Sequence, residues 1–349
     1  MRLVEVRDGS QVAEARRVAV ALARDNGFGE EDAGRVAIVV TELATNTHKH
    51  GGGGELLLGS FDDRTGTGIE VLALDKGRGM GDIAASMRDG HSTAGSAGTG
   101  LGAVQRGAHV FDIYSAPGSG TLSYGSAGAN SGTAILARMQ IGQPGRAAPP
   151  MSAIVADYGG ICLPMAGEEA CGDAWCRHAL ADGVALMVAD GLGHGPSAAE
   201  AAHAAVRCFI GAGEELPSAT LTTMHAALRP TRGAAVAVAR IDRAAGEIVY
   251  AGVGNIAGTI VDADGTVRRM VSHNGTVGHN AKRIRDFTYP LGHDPLVILA
   301  SDGLGTSWKL DQYPGLARHH PTLIAGVLYR DWTRGRDDVT VLVARGGRA

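Results

Sequence analysis

Two side chains near the start of the chain have a spacing that suits proton transfer beside a cation. Glu42 and Asn46 lie four residues apart in the stretch VVTELATNTHKHG, so a helix places both on one face, with His50 one turn further on. A carboxylate can take a proton from water or a hydroxyl group, and an amide oxygen beside it can bind a hard cation. The pair can therefore position a proton and a cation together, although an ordinary solvated helix face has the same spacing.

Two glycine-rich segments further along suit a planar ligand and a phosphate. Asp75 ends an apolar run and could accept a hydrogen bond from an exocyclic amine, while Gly77 and Gly79 let the backbone approach a planar ligand. In SAGTGLGAVQR, three glycines precede a helical pattern, where free backbone N–H groups and the helix dipole favour phosphate. A dinucleotide fingerprint is excluded, because the small and polar residues before these glycines cannot form the strand it requires. The three glycines are Gly98, Gly100 and Gly102.

The second half of the chain carries four acidic sites at strand ends or in loops. Burying an uncompensated carboxylate is costly, so an aspartate that ends an apolar strand faces solvent or binds a cation. A single Asp-Gly pair is more often a turn, but four acids that converge favour a metal. Without a matching set of Cys and His ligands, the oxygens suit Mg²⁺ or Mn²⁺. Two such ions about 4 Å apart could share one aspartate and activate water to attack a phosphoryl group. The sites are Gly172–Asp173, Asp190–Gly191, Asp302–Gly303 and Asp337–Asp338.

Length and composition limit the classes of protein. The 349 residues favour two domains, given a usual domain size of about 150 residues. The net charge of −4, from 32 Lys plus Arg and 36 Asp plus Glu, argues against a nucleic-acid-binding protein or a polybasic protein of the membrane surface. The longest apolar runs fall well short of the roughly 20 residues that a membrane span requires, and no signal-peptide layout is present. Four cysteines without a C-x-x-C pair favour a reduced compartment, so we expect a cytoplasmic protein.

A Pro/Gly/Ala-rich stretch at 141–150, IGQPGRAAPP, has no periodicity and is the best candidate for a linker between domains at 1–140 and 151–349. Hydrophobic periodicity predicts helices and strands before it, and short strands interrupted by one or two helices after it, so the fold class is α+β. In the first domain we predict helices at Gln11–Arg24 and Glu30–Lys49 and strands at Glu55–Phe61 and Ile69–Asp75. In the second we predict strands at Gly183–Asp190, Ala234–Ile241, Glu247–Gly252, Thr259–Val261, Leu296–Ser301 and Val339–Ala344, with helices at Ser197–Gly211 and Ala219–Leu228.

The order of the boxes in the first domain points to a family. The boxes N-x-x-x-H, D-x-G-x-G and G-x-G-x-G resemble those of the GHKL ATPases, and residues 87–121 are similar to the anti-sigma-factor and stressosome switch kinases of the RsbW/RsbT type. The resemblance covers about residues 1–140 and implies a GHKL (Bergerat) α/β sandwich that binds ATP with Mg²⁺. It implies that Glu42 activates a protein serine or threonine, that Asn46 holds Mg²⁺ and that Asp75 reads adenine, which fits a reaction governed by positioning and charge neutralisation. The other nucleotide-binding residues it implies are His50, Gly77, Gly79, Gly98, Gly100, Leu101, Gly102 and Thr133.

The choice of Thr133 depends on a departure from that family's pattern. The family usually ends this domain with one Gly-Thr pair and a strand, but two pairs occur here, Gly120–Thr121 and Gly132–Thr133. A Gly/Ser-rich insert at 122–131 separates them. Thr133 leads directly into the strand-like AILARM, so we take it as the threonine of the nucleotide pocket, with Thr121 as the alternative.

The acidic sites of the second domain also resemble a family. The motifs DGLGHG, SDGL and DDVTVLV are similar to the SpoIIE-like branch of metal-dependent serine/threonine phosphatases, and CGDAW and YAGVGNIAGTIV look like RsbX. The resemblance covers about residues 151–349 and implies a β-sandwich flanked by helices with two Mn²⁺ or Mg²⁺ ions. Asp337 is preferred to Asp338 as a ligand, because the family ligand is the first residue of the pair. The implied ligands are Asp190 bridging both ions, the Gly191 carbonyl and Asp173 on one ion, and Asp302 and Asp337 on the other.

The two resemblances together imply a bifunctional partner-switching regulator. The first domain would phosphorylate, and the second dephosphorylate, a serine or threonine of a STAS-domain antagonist or scaffold protein, and a further switch protein is a second candidate partner. In the alternative hypothesis, the first domain binds ATP and a partner protein without phosphorylating that partner, and it gates the phosphatase. In a third and weaker hypothesis, the first domain supplies only a docking site for the phosphatase substrate. Glu42 favours the first hypothesis, because binding alone needs no base. We expect no nucleic-acid or membrane partner, and a homodimer is compatible with the patterns.

Overall fold

Five strands from the first 140 residues form one antiparallel sheet in the order β1-β2-β3-β5-β4. The computed structural model describes residues 1–63, 66–87, 100–118, 130–141 and 158–347. β3 lies at the centre of the sheet and is buried along most of its length, which brings its last residue, Asp75, to the end of a rigid element. The strands are β1 (Arg2–Val6), β2 (Gly54–Asp63), β3 (Gly66–Asp75), β4 (Val110–Ala116) and β5 (Gly132–Gln140).

Two long helices cover one face of this sheet. α1 (Gly9–Asp25) begins with a capping box between Asp8 and Gln11, in which Gln11 Oε1 accepts the Asp8 backbone N–H at 3.1 Å, and the Asp8 carboxylate also accepts the Ser10 backbone N–H at 2.8 Å. α2 (Glu30–Gly51) has three acidic residues in its first turn and ends before Gly52, which is left-handed with φ 70°. Both helices share one apolar core with alternate residues of the strands, so packing sets the rotation of α2 about its axis. The shorter helices are α3 (Ile83–Ser86) and α4 (Gly100–Gly107).

The other face of the sheet is covered by a helix from much later in the chain. Along β3, Val71 packs under α1 and α2, whereas Leu72 and Leu74 point to the opposite face and are also buried, at 0% and 2% exposed. Helix α7 (Pro321–Trp332) lies against them, since an ideal Cβ on Gly326 would be 2.2 Å from Leu72 Cδ2. The chain accordingly divides into unit 1, Met1–Ala156 with Gln312–Asp331, and unit 2, Asp157–Asp311 with Trp332–Ala349.

Unit 2 is a sandwich of two five-stranded antiparallel sheets. One sheet has the order β13-β10-β9-β8-β7 and the other β12-β11-β14-β15-β6. Apolar residues of both sheets share one core, and a second core joins the outer face of the first sheet to helices α5 and α6. The elements are β6 (Tyr158–Leu163), β7 (Asp173–Leu180), β8 (Gly183–Gly191), α5 (Pro196–Ala212), α6 (Pro217–Ala227), β9 (Ala234–Asp242), β10 (Glu247–Val253), β11 (Ala257–Val261), β12 (Val267–Met270), β13 (Phe287–Pro290), β14 (Leu296–Ala300) and β15 (Val339–Arg345).

The predicted α+β class is confirmed, with helices on a sheet in unit 1 and a helix-flanked β-sandwich in unit 2. Every predicted helix and strand is present with its ends shifted by a few residues. Helix α7 was not predicted, and neither were α3, β1, β4, β6, β7, β12 and β13. The predicted domains, 1–140 and 151–349, likewise did not anticipate that Gln312–Asp331 lies in unit 1. Of the linker at 141–150, only Ile141 lies within the described residues. In the part of the chain that the structure describes, no helix is long and apolar enough to cross a membrane.

Candidate active sites

Glu42 and Asn46 lie one turn apart on α2 and are both half-buried. An ideal Cβ on Gly100, the first residue of α4, would be 3.3 Å from Glu42 Oε2 and 3.5 Å from Asn46 Nδ2, so the pair faces the start of α4. Asn46 Nδ2 is buried and has no hydrogen-bond partner among the described residues. A buried, unpaired amide is costly, so this position fits a polar ligand that completes its hydrogen bonding. The α2 side chains and the α4 N-terminus thus fit an anion with its cation.

Asp75 forms a second polar site of unit 1 at the end of β3. Its Oδ1 accepts the backbone N–H of Gly77 at 2.8 Å and that of Thr133 at 3.1 Å. Burial raises the pKa of Asp75, and these two donors oppose that rise by stabilising the carboxylate. Both donors reach the same oxygen and leave Oδ2 for a ligand donor such as an exocyclic amine.

Thr133 is held beside Asp75 by its neighbours as well as by its own backbone. Its hydroxyl lies 3.0 Å from Ser115 Oγ, which accepts the Met80 backbone N–H at 2.7 Å. This contact joins the end of β5 to β4 and to the segment after β3. The placement supports the preference for Thr133, while Thr121 lies outside the described residues.

The glycines of the D-x-G-x-G box allow a close backbone approach. Gly79 has φ +67°, and an ideal Cβ there would be 2.3 Å from the Ala116 carbonyl oxygen, so no larger residue fits. An ideal Cβ on Gly77 would lie 3.0 Å from the His50 carbonyl oxygen, which brings the end of α2 next to the box. His50 itself is exposed. Of the third box, Gly100, Leu101 and Gly102 lie in α4, and Gly98 falls outside the described residues.

Three of the acidic sites of unit 2 meet at neighbouring strand ends. Asp173 of β7 and Asp190 of β8 are directly opposite in the antiparallel register. Ser301 Oγ donates to Asp173 Oδ2 at 2.6 Å, which ties the end of β14 to the same place. Asp302 follows that serine and accepts a hydrogen bond from Asn255 Nδ2 at 2.7 Å. The sandwich therefore brings these predicted ligands together from distant parts of the sequence.

The two aspartates of the fourth acidic site have different surroundings. Asp338 is buried, at 2% exposed, and its two oxygens accept the backbone N–H groups of Met165 at 2.8 Å and Gly172 at 2.9 Å. Asp337 is exposed, and its Oδ1 accepts the Asp338 backbone N–H at 2.9 Å. Asp338 thus holds the loop that carries Asp173, and Asp337 has a carboxylate oxygen available for a cation.

The electrostatics around Asp190 fit a divalent cation. Burial, together with repulsion from Asp302, Asp337 and Asp338, raises the pKa of Asp190 to about 7. Burial and the Asp190 charge raise the pKa of Asp173 well above its ordinary value. A divalent cation would relieve this repulsion, and the donors are hard oxygens. Among the described side chains, no three His, Cys, Asp or Glu residues already form a metal-binding group, so charge and donor type, and not a finished coordination shell, support a metal here.

The two Asp-Gly turns need glycine because backbone passes close to them. An ideal Cβ would lie 2.1 Å from the Ala198 carbonyl oxygen at Gly191 and 2.0 Å from the Asp338 carbonyl oxygen at Gly303. Gly191 also donates its N–H to the Gly172 carbonyl at 3.0 Å. These contacts fix the backbone that follows Asp190 and Asp302.

Asp338→Asn is expected to destabilise the protein, whereas Asp337→Asn is not. An asparagine offers one acceptor oxygen, so one of the two buried backbone N–H groups loses its partner, and the free energy of unfolding falls by about 1–3 kcal/mol. The change at exposed Asp337 stays within about 0.5 kcal/mol. Urea denaturation of the two variants without added metal measures both values. Equal losses would contradict the division of work between the two residues.

The residues that orient the predicted ligands do not stand out in the sequence. Ser301 and Asn255 stand inside motifs that were recognised, SDGL and YAGVGNIAGTIV, but neither residue type distinguishes a ligand holder from a turn residue. Arg330 was also missed, although its Nη1 donates to the Asp75 carbonyl oxygen at 3.2 Å. No local pattern links two residues so far apart in the chain.

Comparisons with known proteins match both halves of the chain. The model of the histidine kinase-like ATPase domain matches residues 6–123, and that of stage II sporulation protein E (SpoIIE) matches residues 181–346. Serine/threonine-protein kinase RsbT of Bacillus subtilis (strain 168) is 36% identical over 110 residues, which cover 32% of this chain and 83% of that protein.

Two solved structures are similar over about half of the chain. One, from work on the bacterial stressosome as a modular system adapted to control secondary messenger signaling, is 31% identical with a TM-score of 0.51, and the match covers 54% of this chain and 98% of that one. The other is the crystal structure of RsbX in complex with magnesium, at 21% identity and a TM-score of 0.47, with 54% of this chain and 94% of that one covered.

Proposed function

The chain belongs to the histidine kinase-like ATPase family through its RsbT-like first domain and carries a SpoIIE phosphatase domain after it, and from this premise we propose a bifunctional partner-switching regulator. Its first domain phosphorylates a serine or threonine of a STAS-domain antagonist or scaffold protein, and its second removes that phosphate. The observation that carries the proposal is that both sets of reactive side chains are present and grouped. Glu42 and Asn46 face Gly100, and Asp190 lies among other carboxylates.

In the kinase step, the residues of unit 1 position two substrates. Asp75 Oδ2 accepts a hydrogen bond from the adenine amine, and the N-terminus of α4 binds phosphate oxygens. Glu42 takes the proton from the serine or threonine hydroxyl of the partner, and the Asn46 amide oxygen holds Mg²⁺. When bound, the cation supplies positive charge that neutralises the phosphoryl oxygens.

In the phosphatase step, the carboxylates of unit 2 hold the cations and orient the attack. The residues that would hold the two ions are Asp190, shared by both, with Asp173 and the Gly191 carbonyl for one ion and Asp302 and Asp337 for the other. Ser301 fixes the rotamer of Asp173, and Asn255 fixes that of Asp302. Two Mn²⁺ or Mg²⁺ ions, when bound, supply a polarised water and a charged clamp for the phosphoryl group.

Removal of divalent metal is expected to abolish the phosphatase activity. The charges that act on Asp190 are those of three other carboxylates, so binding of an anionic phosphoryl group at this centre needs an added cation. EDTA should stop release of phosphate from a phosphoserine peptide, and excess Mn²⁺ or Mg²⁺ should restore it. Circular dichroism in EDTA is the control for unfolding. Full activity in EDTA would exclude a metal-dependent reaction.

The experiment that tests the whole proposal combines the full chain, a purified STAS-domain partner, labelled ATP and Mn²⁺. We expect label to appear on the partner and then to be released as inorganic phosphate. Phosphorylation without release would leave only the kinase, and release from a prephosphorylated partner without transfer would leave only the phosphatase. If neither phosphorylation nor release of phosphate occurs, the proposal is refuted.

A further inference from the structure

The backbone of Asp75 is held by a residue from the far end of the chain. Arg330 Nη1 donates a hydrogen bond to the Asp75 carbonyl oxygen at 3.2 Å, while the Asp75 side chain is held by Gly77 and Thr133. Arg330 lies near the end of α7, and both residues belong to unit 1. The carboxylate that we propose to read adenine is therefore fixed from two sides, by its own domain and by α7.

The guanidinium of Arg330 has little freedom to move. Its Nε and Nη2 donate to the two carboxylate oxygens of Asp331 at 2.9 and 2.8 Å, and the Tyr313 hydroxyl donates to the same carboxylate at 3.0 Å. Both charged side chains are only 3% exposed. A bidentate pair keeps the planar guanidinium in one orientation, so Nη1 stays aimed at Asp75. The Arg330 charge also helps to oppose the rise in the pKa of Asp75 that burial causes.

The segment that carries Arg330 is anchored to the sheet of unit 1 along its length. Directly before α7, the Asp112 carboxylate of β4 accepts the His320 backbone N–H at 2.7 Å and lies 2.8 Å from His319 Nδ1. At the beginning of α7, Arg138 Nη2 donates to Thr322 Oγ1 at 3.2 Å. In the middle of α7, Gly326 contacts Leu72 so closely that no side chain fits between them. These contacts span three strands, so the segment is part of the structure that supports the nucleotide pocket.

We propose that Arg330 is a positioning residue of the nucleotide site and that the segment Gln312–Asp331 thereby makes nucleotide binding and the carboxylate centre interdependent. In chain order this segment runs between the strand that leads to Asp302 and the pair Asp337–Asp338. A shift of Asp75 on adenine binding acts on Arg330, and the chain continues from Asp331 within a few residues to Asp337. The coupling is reciprocal by linkage, so metal at the carboxylates changes nucleotide affinity as well. The inference rests on the proposed ATP and metal sites.

The positioning role is tested by nucleotide binding to the full chain without divalent metal. Arg330→Met should lower the affinity for ADP roughly 10-fold or more, and Arg330→Lys should recover part of it. The affinity for pyrophosphate, which lacks adenine, should not change, whereas general damage to the fold would lower both. The matched control is Arg318→Gln, which changes an exposed residue of the same segment. Unchanged ADP affinity in Arg330→Met would overturn the assignment.

A second variant keeps this test decisive if Arg330→Met unfolds. Arg330→Met leaves Asp331 buried without its partner, so the double variant Arg330→Met/Asp331→Leu replaces the whole pair with apolar side chains of similar size. It should fold, as seen by circular dichroism, and show the same loss of ADP affinity. Wild-type ADP affinity in the folded double variant would also overturn the assignment.

The interdependence is tested on the phosphatase with p-nitrophenyl phosphate and Mn²⁺. Saturating ADP should change the rate of the wild-type chain 5-fold or more, and hydrogen exchange of residues 333–345 should change with it. Arg318→Gln should keep both effects, and Asp75→Asn and Arg330→Met should lose them. An active wild-type phosphatase that ignores bound ADP would refute the interdependence and leave the proposed function standing. If neither kinase nor phosphatase activity exists, the proposed function fails, and the ADP and pyrophosphate affinities still decide the role of Arg330.

Discussion

Glu42→Gln is expected to abolish phosphorylation of the partner while the chain still binds ATP. Glutamine keeps the size and the half-buried position of the side chain on α2, but it cannot accept the hydroxyl proton. Loss of a general base usually costs about 10²- to 10⁴-fold in rate. Asn46, Asp75 and the start of α4 are unchanged, so the affinity for ATP should remain within a few-fold of the wild-type value. Transfer of label from ATP to the partner and binding of ATP are measured on the same preparation.

The control for this variant lies on the same helix. Glu31→Gln changes a glutamate whose side chain is 94% exposed and forms a long ion pair with Arg35, at 3.9 Å. It should phosphorylate the partner at the wild-type rate, because exposed pairs of this kind contribute little. Wild-type transfer by Glu42→Gln would show that the base is elsewhere. Loss of phosphatase activity alone would instead favour a first domain that gates and does not phosphorylate.

Asp190→Asn is expected to make the phosphorylated partner accumulate in the presence of ATP. The substitution removes the central carboxylate of the proposed metal centre. Loss of residues that only support metal ligands already costs 10- to 100-fold, so the phosphatase rate should fall by about 10²-fold or more. The kinase residues of unit 1 are unaffected, so phosphoryl transfer continues. Phosphoserine or phosphothreonine on the partner is measured by mass spectrometry over time.

Folding of this variant is not expected to suffer. Asp190 is repelled by Asp302, Asp337 and Asp338, so removing its charge relieves repulsion in the metal-free protein. Asp182→Asn, at the exposed turn between β7 and β8, is the matched control and should release phosphate like the wild type. If Asp190→Asn released phosphate at the wild-type rate, the carboxylate centre would not be the phosphatase site.

The elements that carry the candidate site residues were predictable because their patterns are local. α2 alternates apolar and polar faces with helical periodicity, so the side of Glu42 and Asn46 follows from the buried side of Val36, Val40 and Leu43. β8 is an apolar run that ends in Asp190–Gly191, and the apolar run of β14 is followed, after Ser301, by Asp302–Gly303. Each glycine is needed because other backbone lies in contact with the turn. Local sequence patterns do not show which residues meet across the sandwich. The prediction that the four acidic sites meet as metal ligands came only from the family resemblance.

Helix α7 escaped prediction for a physical reason. Every residue from Pro321 to Arg330 is buried, so PTLIAGVLYR has no polar face and shows no helical periodicity. The same cause hid its position, because an apolar stretch that is covered all round does not indicate which sheet covers it. β3 carried the complementary signal, since the stretch VLAL near its end is apolar on both faces and therefore requires a cover on each side.

The choice between adjacent residues needed the structure. Asp337 and Asp338 are chemically identical in sequence, and only burial separates a carboxylate occupied by Met165 and Gly172 from one that faces solvent. In the same way, the two Gly-Thr pairs look alike in the sequence, and the structure shows that the Thr133 N–H donates a hydrogen bond to Asp75. The roles of Asp337 and Thr133 in binding stay predictions that these positions support.

Because Gln312–Asp331 completes unit 1, the order of protein synthesis becomes a constraint on this chain. The ribosome makes the whole sheet of unit 1 first, yet Leu72 and Leu74 lack the contacts that α7 provides until that helix emerges, after most of unit 2. During that interval, the nascent chain exposes the apolar face of the sheet that carries Leu72 and Leu74. A chaperone would bind this face. A gene fragment that stops within residues 141–150, the predicted linker, makes this transient state permanent. The first half of the chain should therefore aggregate when it is expressed without residues 312–331.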